Sequence, residues 1–166
     1  MLRFFAERFV YWKKVKALKS KHTQIHRSVV INSFDNITVG EYAYLGPAGF
    51  YDSRGGIHIG DGTILSSFVK VLSSSHKIGD GNILPYSSEN LYKPVIIGSG
   101  VWVGMNSIIM PGVILGDAVI VGAGSIVTKS FGHGAVIAGN PAKLLRVRHY
   151  DNMAIKNKNF KTNPNN

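Results

Sequence analysis

Aliphatic residues recur at every sixth position of the chain between Ile97 and Val127. They are Ile97, Val103, Ile109, Leu115, Val121 and Val127. The next residue is glycine in four of the first five units, and the fifth residue of each unit is small or β-branched. A unit of six residues cannot bury its own apolar side chain, so such units must stack to form a continuous core. The pattern therefore predicts an all-β solenoid with three short strands in each coil.

The same period is present upstream, and its interruptions are the second informative feature. It begins near Val39, shifts within residues 52–56, where two extra residues are accommodated, and resumes at Ile59. It stops at His76, and residues 77–94 are polar and rich in turn residues, with no apolar period. Long loops in compact repeat proteins usually carry function. We therefore expect a protruding loop after His76 and a functional site beside it.

The two ends of the chain differ from the repeats. Apolar residues recur at helical spacing within residues 2–19, which predicts a helix with its basic residues mostly off the apolar face. Two interpretations are open: the helix caps the solenoid, or it lies on a membrane surface as a basic amphipathic helix. We divide the chain into a basic helical segment (1–27), a solenoid domain (28–148) and a polar tail (149–166).

Basic residues are concentrated at the ends of the 166-residue chain, whose formal net charge is +10. Residues 1–27 carry eight Lys and Arg against one acidic residue, and residues 143–166 carry six against one. Residues 28–142 carry five basic and seven acidic residues. No nucleic-acid-binding motif accompanies the charge, so we expect no nucleic-acid partner. Basic ends beside a neutral body suit an anionic membrane surface or an anionic cofactor.

Composition excludes several other classes of protein. The sequence contains no cysteine, which excludes disulfides, thiolate metal sites and a cysteine nucleophile. No apolar run is long enough to span a bilayer, and charged residues at 3, 7 and 8 interrupt the only candidate core of a signal peptide. We therefore expect a cytoplasmic protein, with peripheral contact at the inner face of the membrane if residues 2–19 bind lipid.

The run IGSGVWVGMNSIIMPGVILGDAVIVGAGSIVTK, followed by AGNPAK, resembles the hexapeptide-repeat acyltransferases. The resemblance extends over residues 37–148 and is to the O-acetyltransferases of maltose and galactoside type and of polysaccharide biosynthesis. It implies a left-handed parallel β-helix, a homotrimer and acetyl-CoA as acyl donor, with no metal. Residues 1–27 lack a recognisable counterpart of the helical region that precedes the coils in the sugar-scavenging enzymes, which favours the polysaccharide branch.

The resemblance assigns catalysis to a single histidine before the protruding loop, which corresponds to His76. Imidazole can take a proton from an attacking hydroxyl near neutral pH and return it to the CoA thiolate. The backbone N–H of Met105 matches the donor that faces the thioester oxygen in relatives, a role that any side chain permits. On the acceptor side, Asp52 and Trp102 match positions that line the site. Four tyrosines could also stack on a sugar ring: Tyr44, Tyr51, Tyr86 and Tyr92.

The remaining matches concern coenzyme A. Ala123 and Gly124 are small where the pantetheine arm lies against the coils. The charges of Lys143 and Arg146 suit the nucleotide phosphates. The full set of cofactor-binding candidates is Gly104, Ala123, Gly124, Thr128, Lys129, Pro141, Lys143 and Arg146.

The resemblance thus implies an acetyl-CoA-dependent O-acetyltransferase that acts on a sugar hydroxyl of a surface polysaccharide or its precursor. Two alternatives stay open. One is an N-acetyltransferase for an amino sugar or an antibiotic, because one base serves both nucleophiles. The other is a non-enzymatic β-helix scaffold, which would not need a tryptophan, a lysine and GNPAK at acyltransferase positions.

Overall fold

The structure, a computed structural model, describes residues 11–18, 20, 22–78 and 88–148. Three largely parallel sheets form the faces of a triangular solenoid, and a fourth sheet projects from it. The first sheet contains β1 (Gln24–Ile25), β4 (Tyr44–Leu45), β7 (Ile64–Leu65), β12 (Trp102–Val103), β15 (Ile120–Val121), β17 (Ala135–Gly139) and β18 (Ala142–Val147). The second contains β2 (Val30–Asn32), β5 (Phe50–Asp52), β8 (Lys70–Leu72), β13 (Ile108–Ile109) and β16 (Ile126–Val127). The third contains β3 (Ile37–Val39), β6 (Ile57–Ile59), β11 (Val95–Ile97) and β14 (Ile114–Leu115), and the fourth contains β9 (Ser74–His76) and β10 (Asn90–Tyr92).

Each coil visits the first, second and third sheets in turn. Before the hairpin of β9 and β10, stacked partners are twenty residues apart, as in Tyr44 and Ile64. After it they are eighteen apart, as in Trp102 and Ile120. In the second coil the two extra residues lie between β5 and β6, within residues 52–56, as the shifted period predicted.

Burial confirms the period of six. The first and fifth residues of each unit both point into the solenoid, so every coil supplies two inward side chains from each side of the triangle. Each first-position residue from Ile97 to Val127 is at most 1% exposed. The buried fifth-position residues are Val101, Ser107, Val113, Val119 and Ser125.

Two buried hydroxyl groups at fifth positions are satisfied by the backbone of the following coil. Thr63 Oγ1 donates to the Gly98 carbonyl at 2.7 Å, and Ser107 Oγ donates to the Gly122 carbonyl at 3.0 Å. A buried hydroxyl without a partner would cost about 1–3 kcal/mol. These bonds explain how a serine or threonine can replace an aliphatic residue at the fifth position.

Residues 11–18 are helical and pack against the first coil. The Tyr11 hydroxyl donates to the Val29 carbonyl at 2.7 Å and accepts from the Ile31 N–H at 3.1 Å, while Val15 is buried in the core. The exposed side of this segment carries Lys13, Lys14 and Lys16. The apolar side of residues 11–18 therefore faces the solenoid, as the capping interpretation predicts. Residues 2–10 of the expected helix lie outside the described part of the chain.

The ends of the solenoid differ in part from the expected boundaries. β1 already pairs with β4, and Ile25 is buried, so the first coil begins before residue 28. A single terminal coil shows the period too briefly to be recognised in the sequence. At the other end, β17 and β18 form an antiparallel hairpin that extends the first sheet. The tail of residues 149–166 is outside the described residues. Within the described ranges, no helix is long and apolar enough to cross a membrane.

The expected loop after His76 has a β-hairpin at its base. Ser74 pairs with Tyr92 and His76 with Asn90 in an antiparallel ladder. β10 is exposed along its whole length, and so are Ser75 and His76 in β9. Backbone pairing imposes no apolar period on the side chains. The sequence therefore predicted that the chain leaves the solenoid here, but not that it forms two strands. Residues 79–87 lie outside the described residues.

Candidate active site

His76 lies in the exposed hairpin, at the corner where the chain leaves the second sheet. Alternate residues of a strand point to opposite sides of a sheet, and directly opposed partners share a side. His76, Ser74 and their partners Asn90 and Tyr92 therefore share one side of the hairpin. We call the corner that links the second and third sheets the His76 corner; it comprises residues 53–56, 73–78, 88–94, 110–113 and 128–130.

Asp52 lies at the end of β5, where the side chain of Ser74 meets it. Its carboxylate is 6% exposed and accepts two hydrogen bonds from Arg54, Nε to Oδ1 at 2.8 Å and Nη2 to Oδ2 at 2.9 Å. The Ser74 hydroxyl donates a further hydrogen bond to Oδ2. The hydrogen bonds from Arg54 are the main cause that lowers the pKa of Asp52, against the opposing effect of burial. The expected acceptor contact is thus an ionised carboxylate that protein groups already hold.

Arg54 is the site candidate that the sequence interpretation missed. It stands inside the interruption at residues 52–56, in the same corner as His76, and half of its side chain is exposed. The available signal was a cation two residues after Asp52 and directly before Gly55 and Gly56. Sequence spacing could not show that the cation folds back on Asp52 while its outer surface stays open.

Met105 lies at a different corner, which links the first and second sheets. This Met105 corner comprises residues 46–49, 66–69, 104–107 and 122–125. The backbone N–H groups on either side of Met105 are used between coils: that of Gly104 donates to Val121 and that of Asn106 donates to Ser67. Within the described residues the Met105 N–H has no such partner, whereas its carbonyl accepts from Gly124. An N–H in this position can donate to a bound oxygen.

Trp102 and Gly104 adjoin Met105 and have different environments. Trp102 is exposed on the outer surface of β12, and its indole Nε1 donates to Ser66 Oγ at 3.3 Å. Gly104 is buried, and a Cβ atom added to it would lie 2.5 Å from the Ala123 nitrogen. The structure therefore gives Gly104 a packing role between coils, while Trp102 remains open to a ligand.

The other cofactor-binding candidates are all exposed but lie in three places. Ala123 and Gly124 follow Met105 along its corner, and Gly124 has a φ of +70°, with open space where a Cβ atom would project. Glycine is suited to that backbone conformation. Thr128 and Lys129 lie at the His76 corner. The remaining three, Pro141, Lys143 and Arg146, belong to the turn and second strand of the hairpin of β17 and β18.

The structure does not bring the two halves of the expected site together within one chain. Asp52 and His76 lie at one corner of the triangle, and Met105 and Gly124 lie at another. The second sheet separates the two corners by roughly 15–20 Å at about 3.3 Å per residue. One thioester carbonyl therefore cannot lie beside His76 and accept from the Met105 N–H of the same chain.

The four candidate tyrosines differ in their exposure. Tyr51 is fully buried in the core and cannot stack on a sugar, and burial raises the pKa of its hydroxyl. Tyr92 is exposed beside Arg54, Tyr44 is half-buried on β4, and Tyr86 is outside the described residues.

No group of three or more His, Asp or Glu side chains within the described ranges is arranged to hold a metal ion.

Comparison with known proteins identifies the family. A family model described as bacterial transferase hexapeptide (six repeats) matches residues 94–129. A maltose O-acetyltransferase from Clostridium difficile 630 has a similar solved structure, with a TM-score of 0.72 and 31% identity, over 78% of this chain and 68% of that one. The chain belongs to the hexapeptide-repeat transferase family. Membership confirms the left-handed parallel β-helix that the sequence resemblance implied.

Two further relatives bear on the chemistry. A candidate lipopolysaccharide biosynthesis O-acetyl transferase of Escherichia coli strain K12 is 32% identical over 132 residues, which cover 75% of this chain and 64% of that protein. A galactoside acetyltransferase in complex with coenzyme A is 28% identical, with a TM-score of 0.67, over 76% of this chain and 64% of that one. This hexapeptide-repeat chain thus spans slightly less than two thirds of the length of these two relatives.

Proposed function

We propose that the protein transfers the acetyl group of acetyl-CoA to a sugar hydroxyl of a surface polysaccharide or its precursor. The observation that carries the proposal is the position of His76. It stands on the hairpin that interrupts the coils, on the same side as the Asp52–Arg54 pair. Relatives named as a maltose O-acetyltransferase, a galactoside acetyltransferase and a lipopolysaccharide biosynthesis O-acetyl transferase support this reaction class.

In the proposed reaction His76 is the general base. It removes the proton of the acceptor hydroxyl as that oxygen attacks the thioester carbonyl carbon. The carbon–sulfur bond then breaks, and the CoA sulfur receives the proton from the imidazole. The Met105 N–H donates to the carbonyl oxygen while it carries negative charge. Its lack of a partner among the described residues supports this role.

The donor is proposed to lie along the Met105 corner. Ala123 and Gly124 leave room there for the pantetheine arm, and Trp102 borders the reacting end. The open space above Gly124 supports this route. The exposed cations Lys129, Lys143 and Arg146, with Thr128 and Pro141 beside them, would hold the phosphate end. Those five residues are at separate parts of the surface, so they would contact one CoA only in an assembly of several copies.

The test of the activity is direct. The protein is incubated with acetyl-CoA and a panel of neutral, amino and anionic sugars, and products are measured by mass spectrometry. Gain of one acetyl group on oxygen supports the proposal. Acetylation confined to amino sugars would assign the alternative N-acetyltransferase, and absence of any transfer would reject the enzyme class for these acceptors.

The separation of the His76 and Met105 corners supports a homotrimer as the active form. In a cyclic trimer every interface joins one surface of a copy to a different surface of the next copy. The His76 corner of one copy can therefore face the Met105 corner of the next. Each interface would then hold one complete site. Apolar side chains on the outer faces of the solenoid, such as Ile96 and Ile114, are suited to burial between copies.

Mixing two inactive variants tests this shared site. H76A removes the base from one corner, and A123W fills the donor route at the other. Each variant alone is expected to be inactive, whereas co-expression of both should restore roughly a quarter of the sites, because copies assemble at random around the ring. Activity is measured per protomer after purification. As a control, the two variants are purified separately and mixed without subunit exchange. If co-expression restored no activity, the site would not be shared between copies.

We also propose a location at the inner face of the cytoplasmic membrane. The supporting feature is the row of exposed lysines at 13, 14 and 16, since the apolar side of residues 11–18 is covered. Such contact would be electrostatic, with about 1 kcal/mol for each lysine near an anionic surface. Sedimentation with anionic vesicles should therefore decrease strongly between low and high salt. Equal sedimentation with neutral vesicles, or none at low salt, would reject this location.

A further inference from the structure

The Asp52–Arg54 pair is built more rigidly than a surface ion pair. Both contacts of the pair are short, and the Ser74 hydroxyl fixes the carboxylate from the other side. Asp52 is 4% exposed as a residue, so water does not compete for its oxygens. A bidentate Arg–carboxylate pair with one member buried has a defined geometry, unlike most exposed salt bridges.

The backbone next to Arg54 is fixed as well. Ser73 Oγ donates to the Asp52 carbonyl at 2.6 Å and accepts from the Gly55 N–H at 2.8 Å. A Cβ atom added to Gly55 would lie 2.2 Å from the Ser73 carbonyl oxygen, so only glycine permits this close approach. Arg54 is thus held through its side chain and through the backbone of Asp52 and Gly55 on either side of it. Such restraint is typical of a group that is preorganised for binding.

Only part of the Arg54 guanidinium is used by this arrangement. A guanidinium has five N–H donors, and Asp52 takes one from Nε and one from Nη2. One donor of Nη1 and the second donor of Nη2 form another fork, directed away from Asp52. Within the described residues no other carboxylate is paired with Arg54. Half of the side chain is exposed, so this second fork is accessible.

The second fork lies on the same side of the hairpin as His76. Ser74 contacts Asp52, and His76 is two residues further along β9, roughly 7 Å away at about 3.3 Å per residue. Tyr92, the partner of Ser74, is exposed on the same side of the hairpin. One sugar ring with a substituent can bridge a distance of this size.

The charge of the His76 corner favours an anion next to that ring. Arg54, Lys93 and Lys129 are exposed there, and the Asp52 carboxylate is buried. The other acidic residue described in the hairpin, Glu89, forms an ion pair with Lys77 at 2.8 Å. The corner therefore has an excess of accessible positive charge.

We propose that Arg54 is an acceptor-binding residue whose second fork takes a carboxylate or phosphate group of the acceptor sugar, while His76 activates a hydroxyl of the same molecule. Asp52 and Ser74 are positioning residues, which orient Arg54 and do not contact the acceptor. The inference rests on the proposed function and makes it more specific, because it requires an anionic acceptor.

Binding and turnover are measured separately to test this. The protein is saturated with CoA and titrated calorimetrically with methyl glucoside, methyl glucuronide and glucose 1-phosphate, and with the corresponding galactose compounds. We expect at least about tenfold tighter binding of an anionic member than of its neutral counterpart. R54Q should abolish the difference, D52N should reduce it, and R54K should retain part of it. K13Q, which removes an exposed cation from the helix of residues 11–18, outside both corners, is the matched control and should change nothing.

The outcomes distinguish the two proposals. Preference for glucuronide alone assigns a uronic acid, and preference for the phosphate alone assigns a sugar phosphate; both support Arg54. Equal or undetectable binding of all compounds, or an anion preference that survives in R54Q, overturns the inference. If R54Q unfolds because the buried Asp52 carboxylate has lost its partner, the double variant D52N/R54Q is used in its place, since it buries no charge. Acetyl transfer on the same samples tests the proposed function, so an anion preference without transfer would reject only that function.

Discussion

Replacing His76 by alanine is expected to lower the rate of acetyl transfer by roughly 10²–10⁴-fold, the usual contribution of a general base. The reason is that the acceptor hydroxyl would lose the imidazole that removes its proton. His76 is exposed on the hairpin and supports no core packing, so the melting temperature should be unchanged. Acetyl-CoA binding should also be unchanged, because the proposed donor route follows the Met105 corner. Steady-state kinetics, thermal unfolding and calorimetric titration with acetyl-CoA measure the three quantities.

His58 provides a matched control for this experiment. It is exposed on the outer surface of β6, where its Nδ1 lies 3.0 Å from Thr38 Oγ1. H58A removes the same side chain from the third sheet of the solenoid, whereas H76A removes it from the hairpin. Its activity is expected to equal that of the unaltered protein. Full activity of H76A, or equal losses in both variants, would show that His76 is not the base.

Replacing Ile109 by alanine is expected to lower the free energy of unfolding by about 2–5 kcal/mol. Ile109 is fully buried in β13, between Val71 and Val127 of the adjacent coils. In a solenoid each coil packs mainly on its neighbours, so a cavity in one coil weakens two interfaces. Chemical denaturation at a fixed protein concentration measures the change, because an assembly makes stability concentration-dependent.

Ile78 is the control for this substitution. It is 87% exposed in the hairpin, so I78A removes the same atoms without creating a cavity. Its effect on the free energy of unfolding should stay within about 0.5 kcal/mol. If I109A were as stable as I78A, the stacked inward positions would not form the continuous core that the period implies.

The repeat could be predicted from the sequence because each of its parts is local. Ile97 and the other first-position residues need burial, and the second-position glycines need close contact with the next coil, as at Gly104. Both requirements act within a single unit and recur in the next, so they leave a period in the sequence. The two extra residues within 52–56 could be located for the same reason.

The hairpin and Arg54 could not be predicted in the same way. The strands of β9 and β10 form from backbone hydrogen bonds, which impose no pattern on exposed side chains. The Asp52–Arg54 contact depends on how a corner folds back on itself, and Ser74 reaches it only because the hairpin leaves the solenoid there. Tyr51 illustrates the opposite error: as a loop residue it could stack on a sugar, but its position in the period places it in the core.

By itself, the sequence determined a solenoid of stacked coils, interrupted after His76, because the burial of regularly spaced side chains is a one-dimensional requirement. Only the tertiary structure decided which residues meet. It brought Asp52, Arg54, Ser74 and the His76 strand to one corner, and it left Met105 and Gly124 at another. The physical reason is that three faces separate residues that are neighbours in the repeat, while stacking joins residues eighteen, twenty or, across the hairpin, 38 positions apart.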